Sequence, residues 1–591
     1  MNVVGICDGQ DCGAALVEDG RLVAAVNEER LSRIKLHEGY YNGFPDRSLQ
    51  FILKYIHPEK VDFVAISSKI DPPLPLRIYS FLANPKGTSA PTTLIKPGNE
   101  TLSWRMKGLT YDYFCRKHSS SITGTISSIA YKPLLKRHLR RFGLGDKKIV
   151  FIDHHLCHAS SAYYTSGIDE GVSFSLDGHG DGLSATISLL KSGKIDVIQK
   201  VPSRRSIGWF YGAITNYLGF KQHRHEGKVT GLAAFGDPSR LYPAFTKCIE
   251  YDSESHMPKN NLGSKFHGMH AIARYIPPGS AREDVAAAAQ KRLEDVAVSW
   301  IQDFLRKSKS KDVVLSGGVF ANVKLNQRVH EAEGVKSIFI HPHMGDGGLA
   351  AGAALSIYHS EANKQGLDFV PHKLDNVYFG PEYSGQEIKT ELEKSNVSYE
   401  KTSHIEKEVA RLLAKNNVVG RFNGRMEYGP RALGNRTLLY HTKDKTINDW
   451  LNKRLKRTEF MPFAPVTLSE HAQECYLNLK GAEYAAKFMT LCFDATSLMK
   501  KQSPAVVHVD GTARPQIIDK NGNPSYYTIL EEYESMTGTP SLINTSFNMH
   551  EEPIVCSPYD AIRAFKLGRI DYLAIGDFLV RYDQQKKKND G

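Results

Sequence analysis

Two histidines, His154 and His158, lie four positions apart in the string Asp153-His154-His155-Leu156-Cys157-His158. On a helix, residues with this spacing share one face, so the two imidazoles could bind one metal ion. Asp346 lies in a glycine turn far along the chain and offers a carboxylate that would complete the site. Two imidazoles and one carboxylate leave coordination positions open, as a catalytic metal requires. On spacing alone, an ordinary helix face remains the alternative.

Glycine-rich turns recur after short apolar stretches, and most of them carry an aspartate. They contain Asp11, Asp177 with Gly178, Gly317 with Gly318, and Asp346. Glycine lets backbone N–H groups approach phosphate oxygens, and a neighbouring aspartate can hold a metal or orient water. A single turn of this kind is usually a structural hairpin. The repeated set favours phosphate binding.

The elements around these turns follow a repeated plan. A strand, an acidic glycine turn and a returning strand occur within 1–35 and again within 172–190. Such a duplication predicts two related halves that face a cleft. It resembles the ATPase fold shared by actin, hexokinase and the heat-shock chaperones. This resemblance implies that Asp11 and Asp177 lie in the two phosphate loops and that Gly317 and Gly318 lie in the adenosine loop.

Length and composition indicate the number of domains, the compartment and the possible partners of the protein. With 591 residues the chain exceeds one hydrophobic core, and polar, Pro/Gly-rich sequence near 360–385 predicts a boundary between α/β domains 1–365 and 366–591. The eight cysteines are scattered, and neither a signal peptide nor an apolar run of about 18 residues is visible. We therefore expect a cytoplasmic protein with reduced thiols and no membrane span. The net charge of +12 is compatible with nucleic acid, a membrane surface or phosphorylated small molecules.

Ordered strings along the whole chain carry a more specific resemblance. They are Asn27–Arg33, Asp153–His158, Ser175–Gly178, His225–Leu232, Ser316–Asn322, Gly424–Arg436, Met461–Pro465, His508–Arg514 and Asn544–Asn548. The chain resembles the O-carbamoyltransferase family, which includes nodulation-factor, cephamycin, novobiocin and tobramycin carbamoyltransferases. It departs from the family at Gln10, where the family usually has a histidine, so no histidine role can be transferred to that position.

The resemblance implies that the C-terminal domain has the fold that makes threonylcarbamoyl-AMP. This domain would combine carbamoyl phosphate with ATP and Mg²⁺ to give carbamoyl-AMP. Arg425 and Arg431 flank a Gly-Pro turn and are expected to act in this step, because guanidinium groups bind phosphates in a bidentate way. Further expected nucleotide or carbamoyl contacts are Gly178, Glu226, Lys228, Asn322, Arg436, Arg457, His508, Asp510, Arg514, Asn544, Ser546 and Asn548. The alternatives are a structural salt bridge for Glu226 and Lys228, and turn capping for Asn544, Ser546 and Asn548.

The N-terminal domain would then transfer the carbamoyl group to a hydroxyl of a small molecule or sugar. The family suggests Fe(II) at His154, His158 and Asp346, and the same ligands also suit zinc or manganese. We expect no nucleic acid partner and leave a homodimer open. Two rival functions remain: a tRNA-modifying threonylcarbamoyl transferase, which shares the metal-binding fold, and a non-catalytic, actin-like nucleotide-binding module. The second rival does not explain the histidine pair or the arginine cluster.

Overall fold

A computed structural model describes residues 1–81, 121–263, 268, 271–367, 371–455 and 460–582. Its first sheet consists of β1 (Asn2–Cys7), β2 (Gly13–Glu18), β3 (Arg21–Asn27), β4 (Phe63–Ile66) and β5 (Lys148–Phe151), in the order β3-β2-β1-β4-β5. The first three strands are antiparallel neighbours, whereas β4 pairs parallel with both β1 and β5.

A second five-stranded sheet repeats this plan. It consists of β6 (Gly171–Gly180), β7 (Leu183–Lys191), β8 (Lys194–Pro202), β11 (Asp312–Ser316) and β12 (Ser337–Ile340), in the order β12-β11-β6-β7-β8. Again three consecutive strands are antiparallel, and the two later strands pair parallel. A separate hairpin consists of β9 (Ile249–Asp252) and β10 (Met257–Asn260). The repeated strand order confirms the expected duplicated α/β fold of the actin and hexokinase type. We call the two sheets with their helices the first and second halves.

Helices surround both sheets. They are α1 (Glu28–Ser32), α2 (Gly39–Asn42), α3 (Asp46–Ile52), α4 (Leu74–Ser80), α5 (Ser121–Leu139), α6 (His154–Tyr163), α7 (Ile207–Tyr217), α8 (Glu226–Ala233), α9 (Tyr242–Thr246), α10 (Arg282–Ser308), α11 (Val323–His330) and α12 (Leu349–Lys364). The core of the first half packs apolar strand residues such as Val4, Leu16 and Val64 against Leu135 and Leu139 of α5.

Helix α12 packs closely on β1 and α6, and this contact brings Asp346 near the histidine pair. A Cβ at Gly352 of α12 would lie 1.9 Å from the carbonyl oxygen of Cys157 in α6, so only glycine allows the approach. A short 3₁₀ turn, Asp346–Gly348, directly precedes α12. The helix packing therefore positions the carboxylate that the sequence predicts as a ligand.

The C-terminal part contains a mixed eight-stranded sheet, in the order β13-β22-β21-β14-β15-β20-β16-β19. Its strands, with the separate pair β17 and β18, are β13 (Tyr399–Lys401), β14 (Val419–Phe422), β15 (Arg436–His441), β16 (Ala464–Leu468), β17 (Phe493–Asp494), β18 (Thr512–Ala513), β19 (Gln516–Ile518), β20 (Ser541–Ser546), β21 (Tyr572–Ile575) and β22 (Phe578–Arg581). The helices are α13 (Gly385–Lys394), α14 (Ile405–Ala414), α15 (Ile447–Arg454), α16 (Ala472–Cys475), α17 (Glu483–Ala486), α18 (Ser497–Gln502), α19 (Pro524–Thr537) and α20 (Pro558–Gly568). Apolar residues of α14 and α19 cover one face of the sheet.

The chain divides into two compact units. The N-terminal unit comprises Met1–Leu374 with the short segment Lys480–Ala485, and the C-terminal unit comprises Asp375–Leu479 with Ala486–Gly591. Among the described residues, no helix is both long and apolar enough to span a membrane. The cysteines in the described ranges are buried free thiols.

Candidate active site

The two histidines lie on one face of α6, directly after β5. The helix begins at His154, and the Asp153 side chain caps it by accepting from the N–H groups of His155 and Leu156 at 3.1 and 3.2 Å. The rings of His154 and His158 are buried, and their centroids are 4.8 Å apart. The predicted helix is present, and it delivers both imidazoles to the same buried side.

Two carboxylates converge on these imidazoles. The Nε2 atom of His154 lies 3.4 Å from Oδ2 of Asp177 and 3.6 Å from Oδ1 of Asp346. The Nε2 atom of His158 lies 3.4 Å from the same Asp346 oxygen. One ligand atom from each of the four residues lies within 4.8 Å of the others. These separations are near the value of about 3.4 Å between ligand atoms that surround a tetrahedral ion at about 2.1 Å.

The donor set fits a divalent cation. Nε2 of His154 and Nε2 of His158 are buried and have no hydrogen-bond partner among the described residues. A buried polar atom left unsatisfied costs about 1–3 kcal/mol, which a bound cation would offset. Two imidazole nitrogens and two carboxylates suit iron, zinc or manganese. Asp177, expected as a catalytic residue of the second phosphate loop and not as a metal ligand, is a fourth member of this group.

The charges of the four residues perturb one another. Burial opposes protonation of His154, but the Asp177 and Asp346 carboxylates outweigh it and raise the pKa to about 9. Burial and the charge of Asp177 raise the pKa of Asp346 to about 7. Burial and the neighbouring His154 lower the pKa of His158 to about 3. Two buried carboxylates thus require compensating positive charge, which protons or a divalent cation can supply.

Asp177 joins the second and third glycine turns. Its Oδ1 accepts a hydrogen bond from the N–H of Gly318 at 3.0 Å, while its Oδ2 faces His154. Gly317 and Gly318 follow β11, which is the parallel neighbour of β6. The structure therefore places these glycines beside the candidate metal group. Their contact with adenosine stays a prediction.

Close packing at Gly180 admits the His154 ring. A Cβ at Gly180 would lie 2.1 Å from Cδ2 of His154, so a larger residue would displace the imidazole. The neighbouring His179 lies with Nε2 3.1 Å from Oδ2 of Asp71, and its ring stacks on Trp209 at 5.8 Å. A Cβ at Gly178 would contact the same Trp209 ring at 3.5 Å.

Asp11 lies in the first glycine turn with a left-handed backbone, at φ 47°. Its carbonyl oxygen accepts from Nδ2 of Asn27 at 2.7 Å, which fixes the turn. Burial, with the charges of Glu29 and Asp346, raises the pKa of the Asp11 carboxyl to about 8. Asp11 is therefore electrostatically coupled to the metal group without belonging to it.

Three other predicted contacts of the N-terminal unit lie elsewhere. Asn322 caps α11 by accepting from Leu325 N–H, and its amide also pairs with Gln290. Glu226 begins α8 and accepts from His223 N–H at 2.6 Å, and Lys228 is buried two residues further along the same helix turn. For Asn322, this arrangement favours a helix cap over a nucleotide contact.

In the C-terminal unit, Arg436 is a scaffold for the Gly424–Arg436 string. Its guanidinium is fully buried, lies 3.6 Å from the Phe422 ring centroid, and donates to four backbone carbonyls. The acceptors are the oxygens of Asn423, Asn435, Pro381 and Gly424, at 2.8–3.2 Å. These bonds occupy both terminal nitrogens, whereas the buried Nε has no hydrogen-bond partner among the described residues, so Arg436 builds the loop and its ligand contact stays a prediction.

Glu427 belongs to the same string and binds its backbone. Its Oε1 accepts from the N–H groups of Leu433, Asn435 and Arg436 at 2.9, 2.7 and 3.0 Å. The side chain is buried, and Oε2 has no hydrogen-bond partner among the described residues. These backbone N–H groups are thus committed to a carboxylate and cannot cradle a phosphate.

Arg425 and Arg431 are the more accessible guanidiniums, since both are only partly buried. Arg425 donates to the carbonyl oxygens of Phe379 and Gly380 at 2.8 and 3.4 Å. Arg431 follows Pro430 at the tip of the string. Both therefore keep, unlike Arg436, the exposure that a phosphate contact needs.

The asparagine-rich string after β20 has largely internal contacts. Asn544 donates to the Ala432 carbonyl and to Gln516, whereas its buried Oδ1 has no partner among the described residues. Ser546 donates to Asn548, whose amide donates to the carbonyls of Met549 and Glu552. These bonds agree with turn capping, the alternative reading of Ser546 and Asn548.

Around His508 the chain forms a tight turn. Asp510 accepts from both the N–H and the hydroxyl of Thr512, at 3.1 and 2.6 Å, and its Oδ1 lies 3.5 Å from Nδ1 of His508. Arg514 is partly buried two residues after Thr512. Arg457 lies outside the described residues. Ligand contacts of His508, Asp510 and Arg514 stay predictions.

Comparison with known families decides the class of the protein. The profile of the carbamoyltransferase N-terminus matches residues 2–355, and that of the carbamoyltransferase C-terminus matches residues 410–582. The chain belongs to the carbamoyltransferase family. The resemblance drawn from the motif strings is confirmed, and the protein is a carbamoyl-transferring enzyme.

Relatives of this carbamoyltransferase cover most of its length. Nodulation protein NolO of Bradyrhizobium diazoefficiens is 33% identical over 73% of the chain and 79% of its own length. An uncharacterized protein of Methanocaldococcus jannaschii is 34% identical over 79% of the chain and 78% of its own length. A solved structure of full-length HypF in the phosphate- and nucleotide-bound form aligns with 62% of the chain and 56% of its own length, at 13% identity and a TM-score of 0.35.

Two residues of this carbamoyltransferase have structural contacts that the sequence does not predict. Asp71 follows β4 by five positions in an Asp-Pro turn, a common structural motif that gives no chemical signal by itself. Glu427 stands inside the arginine-rich string, where an acid could have been noticed as out of place for phosphate binding. Neither role could be seen without the folded backbone.

Proposed function

We propose that this carbamoyltransferase uses ATP and carbamoyl phosphate to place a carbamoyl group on the hydroxyl of a small molecule or sugar. The observation that carries the proposal is the buried group His154, His158, Asp177 and Asp346 in a chain of this family. Such a group suits the stabilisation of charge on a carbonyl oxygen, which is the main requirement of acyl-type transfer.

The activation step belongs to the C-terminal unit in this proposal. Carbamoyl phosphate, ATP and one water would give carbamoyl-AMP, pyrophosphate and phosphate. Arg425 and Arg431 would hold the phosphate groups, because they are partly exposed at the string that Glu427 and Arg436 support. Mg²⁺ would accompany ATP, as is usual for nucleotide substrates.

The transfer step belongs to the N-terminal unit. The two imidazoles and two carboxylates would hold a divalent cation, Fe(II) being our first candidate. When bound, the cation would polarise the carbamoyl oxygen and offset developing negative charge. The acceptor oxygen attacks the carbamoyl carbon, the bond from that carbon to the AMP oxygen breaks, and AMP leaves with the electron pair. Asp11 is our candidate to take up the hydroxyl proton, because its carboxyl lies in the first glycine turn and is electrostatically coupled to Asp346 of the metal group.

The test uses the full-length chain with carbamoyl phosphate, ATP, Mg²⁺ and Fe(II), and a panel of glycosides as acceptors. We expect AMP, pyrophosphate and phosphate to form in equal amounts with a carbamoylated glycoside identified by mass spectrometry. Product formation without ATP would contradict the adenylate step. Carbamoylation of tRNA in place of every glycoside would favour the threonylcarbamoyl-type alternative.

A further inference from the structure

A loop of the first half and one aspartate of the second half bind each other next to the candidate metal group. The loop is Ser68–Asp71, after β4, and the aspartate is Asp181, between β6 and β7. The Asp181 carboxylate is buried and accepts from Ser68 Oγ at 2.5 Å. It also accepts from the N–H groups of Lys69, Ile70 and Asp71, at 3.1, 2.8 and 3.2 Å. We call Ser68–Asp71 together with Asp181 the cross-half clasp.

The two aspartates of the clasp bind each other's backbone, and Arg77 also binds the loop. Oδ2 of Asp71 accepts from the N–H of Asp181 at 2.6 Å, so each aspartate binds the backbone of the other. Arg77 is fully buried and donates to the carbonyls of Ser68 and Asp71, at 2.9 and 3.0 Å. Its Nε lies 3.1 Å from Asp8, in the turn after β1. The loop is thus held through both its N–H groups and its carbonyls.

The clasp also reaches a candidate metal ligand. Oδ2 of Asp181 accepts from the backbone N–H of His154 at 2.9 Å. His154 is the first residue of α6, where N–H groups have no partner within the helix. Asp177 lies four residues before Asp181 along the chain, so the bond from His154 to Asp181 fixes the start of α6 close to the Asp177 carboxylate.

We propose that Asp181 is a positioning residue that sets metal affinity, by fixing the backbone of His154 at the start of α6 beside Asp177. This inference rests on the metal group of the proposed function. Groups that orient metal ligands without binding the metal typically change metal affinity by roughly 10- to 100-fold when they are removed.

The experiment measures binding of cobalt(II) alone to the full-length protein, by equilibrium dialysis and by the visible absorption of the bound ion. Asp181→Asn replaces one of the two acceptor oxygens by an NH₂ group, which faces backbone donors. The matched control is Asp153→Asn, at the same end of α6. It removes the same charge but still caps the helix, because asparagine is an equally good N-cap.

We expect Asp181→Asn to weaken cobalt(II) binding by roughly 10- to 100-fold and to alter the absorption band. Asp153→Asn should stay within about threefold of the wild type, because its capping bonds remain. Equal binding by Asp181→Asn and wild type, even with a lowered melting temperature, would reduce Asp181 to a structural residue and overturn the proposal. Absence of cobalt(II) binding by the wild type would contradict the metal group of the proposed function itself.

A milder variant covers the case in which Asp181→Asn does not fold. Ser68→Ala removes the hydroxyl donor of the clasp and leaves the Asp181 carboxylate and its backbone bonds in place. Loss of one hydrogen bond to a charged group should weaken cobalt(II) binding by about tenfold. Unchanged binding by a folded Ser68→Ala protein would count against the clasp.

Discussion

The candidate metal group and the arginine-rich string differ in how their polar side chains are used. In the N-terminal unit, Nε2 of His154 and Nε2 of His158 are buried without a hydrogen-bond partner among the described residues. In the C-terminal unit, Arg436 and Glu427 are equally buried, but their main polar atoms bind the backbone of the string that contains them.

The imidazole nitrogens that face the carboxylates make no hydrogen bond, whereas the guanidinium and the carboxylate of the string use most of their polar atoms to hold a loop. A buried nitrogen without a hydrogen-bond partner is costly, so its presence beside two carboxylates suits a group that binds a cation. For a buried guanidinium that binds four carbonyls, these hydrogen bonds offset the cost of desolvation and stabilise the loop. The same residue type can therefore have different roles: Arg436 binds the backbone of the loop, whereas we predict a phosphate contact for Arg431.

The largest effect should come from breaking the metal group. His158→Ala removes one imidazole that lies 3.4 Å from Asp346, and we expect bound metal to be lost. Carbamoylated product should fall by about 10²- to 10³-fold, the usual cost of removing a charge-stabilising group. Pyrophosphate release should persist and serves as the internal control. Stoichiometric metal in the purified variant would show that this histidine is not a ligand.

Arg431→Ala tests the arginine-rich string Gly424–Arg436 of the C-terminal unit. Loss of this partly exposed guanidinium should abolish pyrophosphate release from ATP and carbamoyl phosphate, because phosphate charge would lose a bidentate partner. Metal content and melting temperature should stay near those of the wild type. Near-normal pyrophosphate release would remove Arg431 from the activation step.

Arg436→Ala should act through stability. The change leaves up to four buried carbonyls without donors, and we expect the C-terminal unit to lose about 3 kcal/mol or more of unfolding free energy. Chemical denaturation followed by circular dichroism measures this loss, with Arg431→Ala as the control at a partly exposed arginine. A stable Arg436→Ala protein that cannot release pyrophosphate would restore the ligand role.

Sequence reasoning succeeded where spacing has a direct spatial meaning. The interval between His154 and His158 predicts a shared helix face, and the repeated strand-turn-strand pattern predicts the duplicated sheets. It could not place Asp177 in the metal group, because that contact joins β6 to the start of α6, 23 positions apart, and depends on how the helix packs on the sheet. It also could not show that Arg436 is enclosed by carbonyls, since composition alone does not distinguish a guanidinium facing solvent from a buried one, and the ligand contact of Arg436 stays a prediction.

Glu427→Gln should have a smaller effect than Arg436→Ala. A glutamine can still accept the three N–H bonds through its amide oxygen, but it loses the charge that strengthens them. We expect a destabilisation of about 1–2 kcal/mol in chemical denaturation. Glu382→Gln, the same change at an exposed glutamate, is the matched control and should be neutral. Equal stabilities of the two variants would contradict the role of Glu427 in the string.

The smallest effect is expected at Asp510. The turn needs only a side-chain oxygen that accepts hydrogen bonds, whereas the predicted ligand contact needs the negative charge. Asparagine forms the same side-chain turn as aspartate, so Asp510→Asn should keep the bonds to Thr512 and change the unfolding free energy by less than about 0.5 kcal/mol. A carboxylate that contacts Mg²⁺ or a substrate donor would not tolerate this loss of charge. Steady-state pyrophosphate release over a range of ATP and Mg²⁺ concentrations separates the two roles. An unchanged KM and kcat would assign Asp510 to the scaffold beside Glu427 and Arg436, whereas a raised KM for MgATP with an unchanged melting temperature would place it with Arg431 at the ligand.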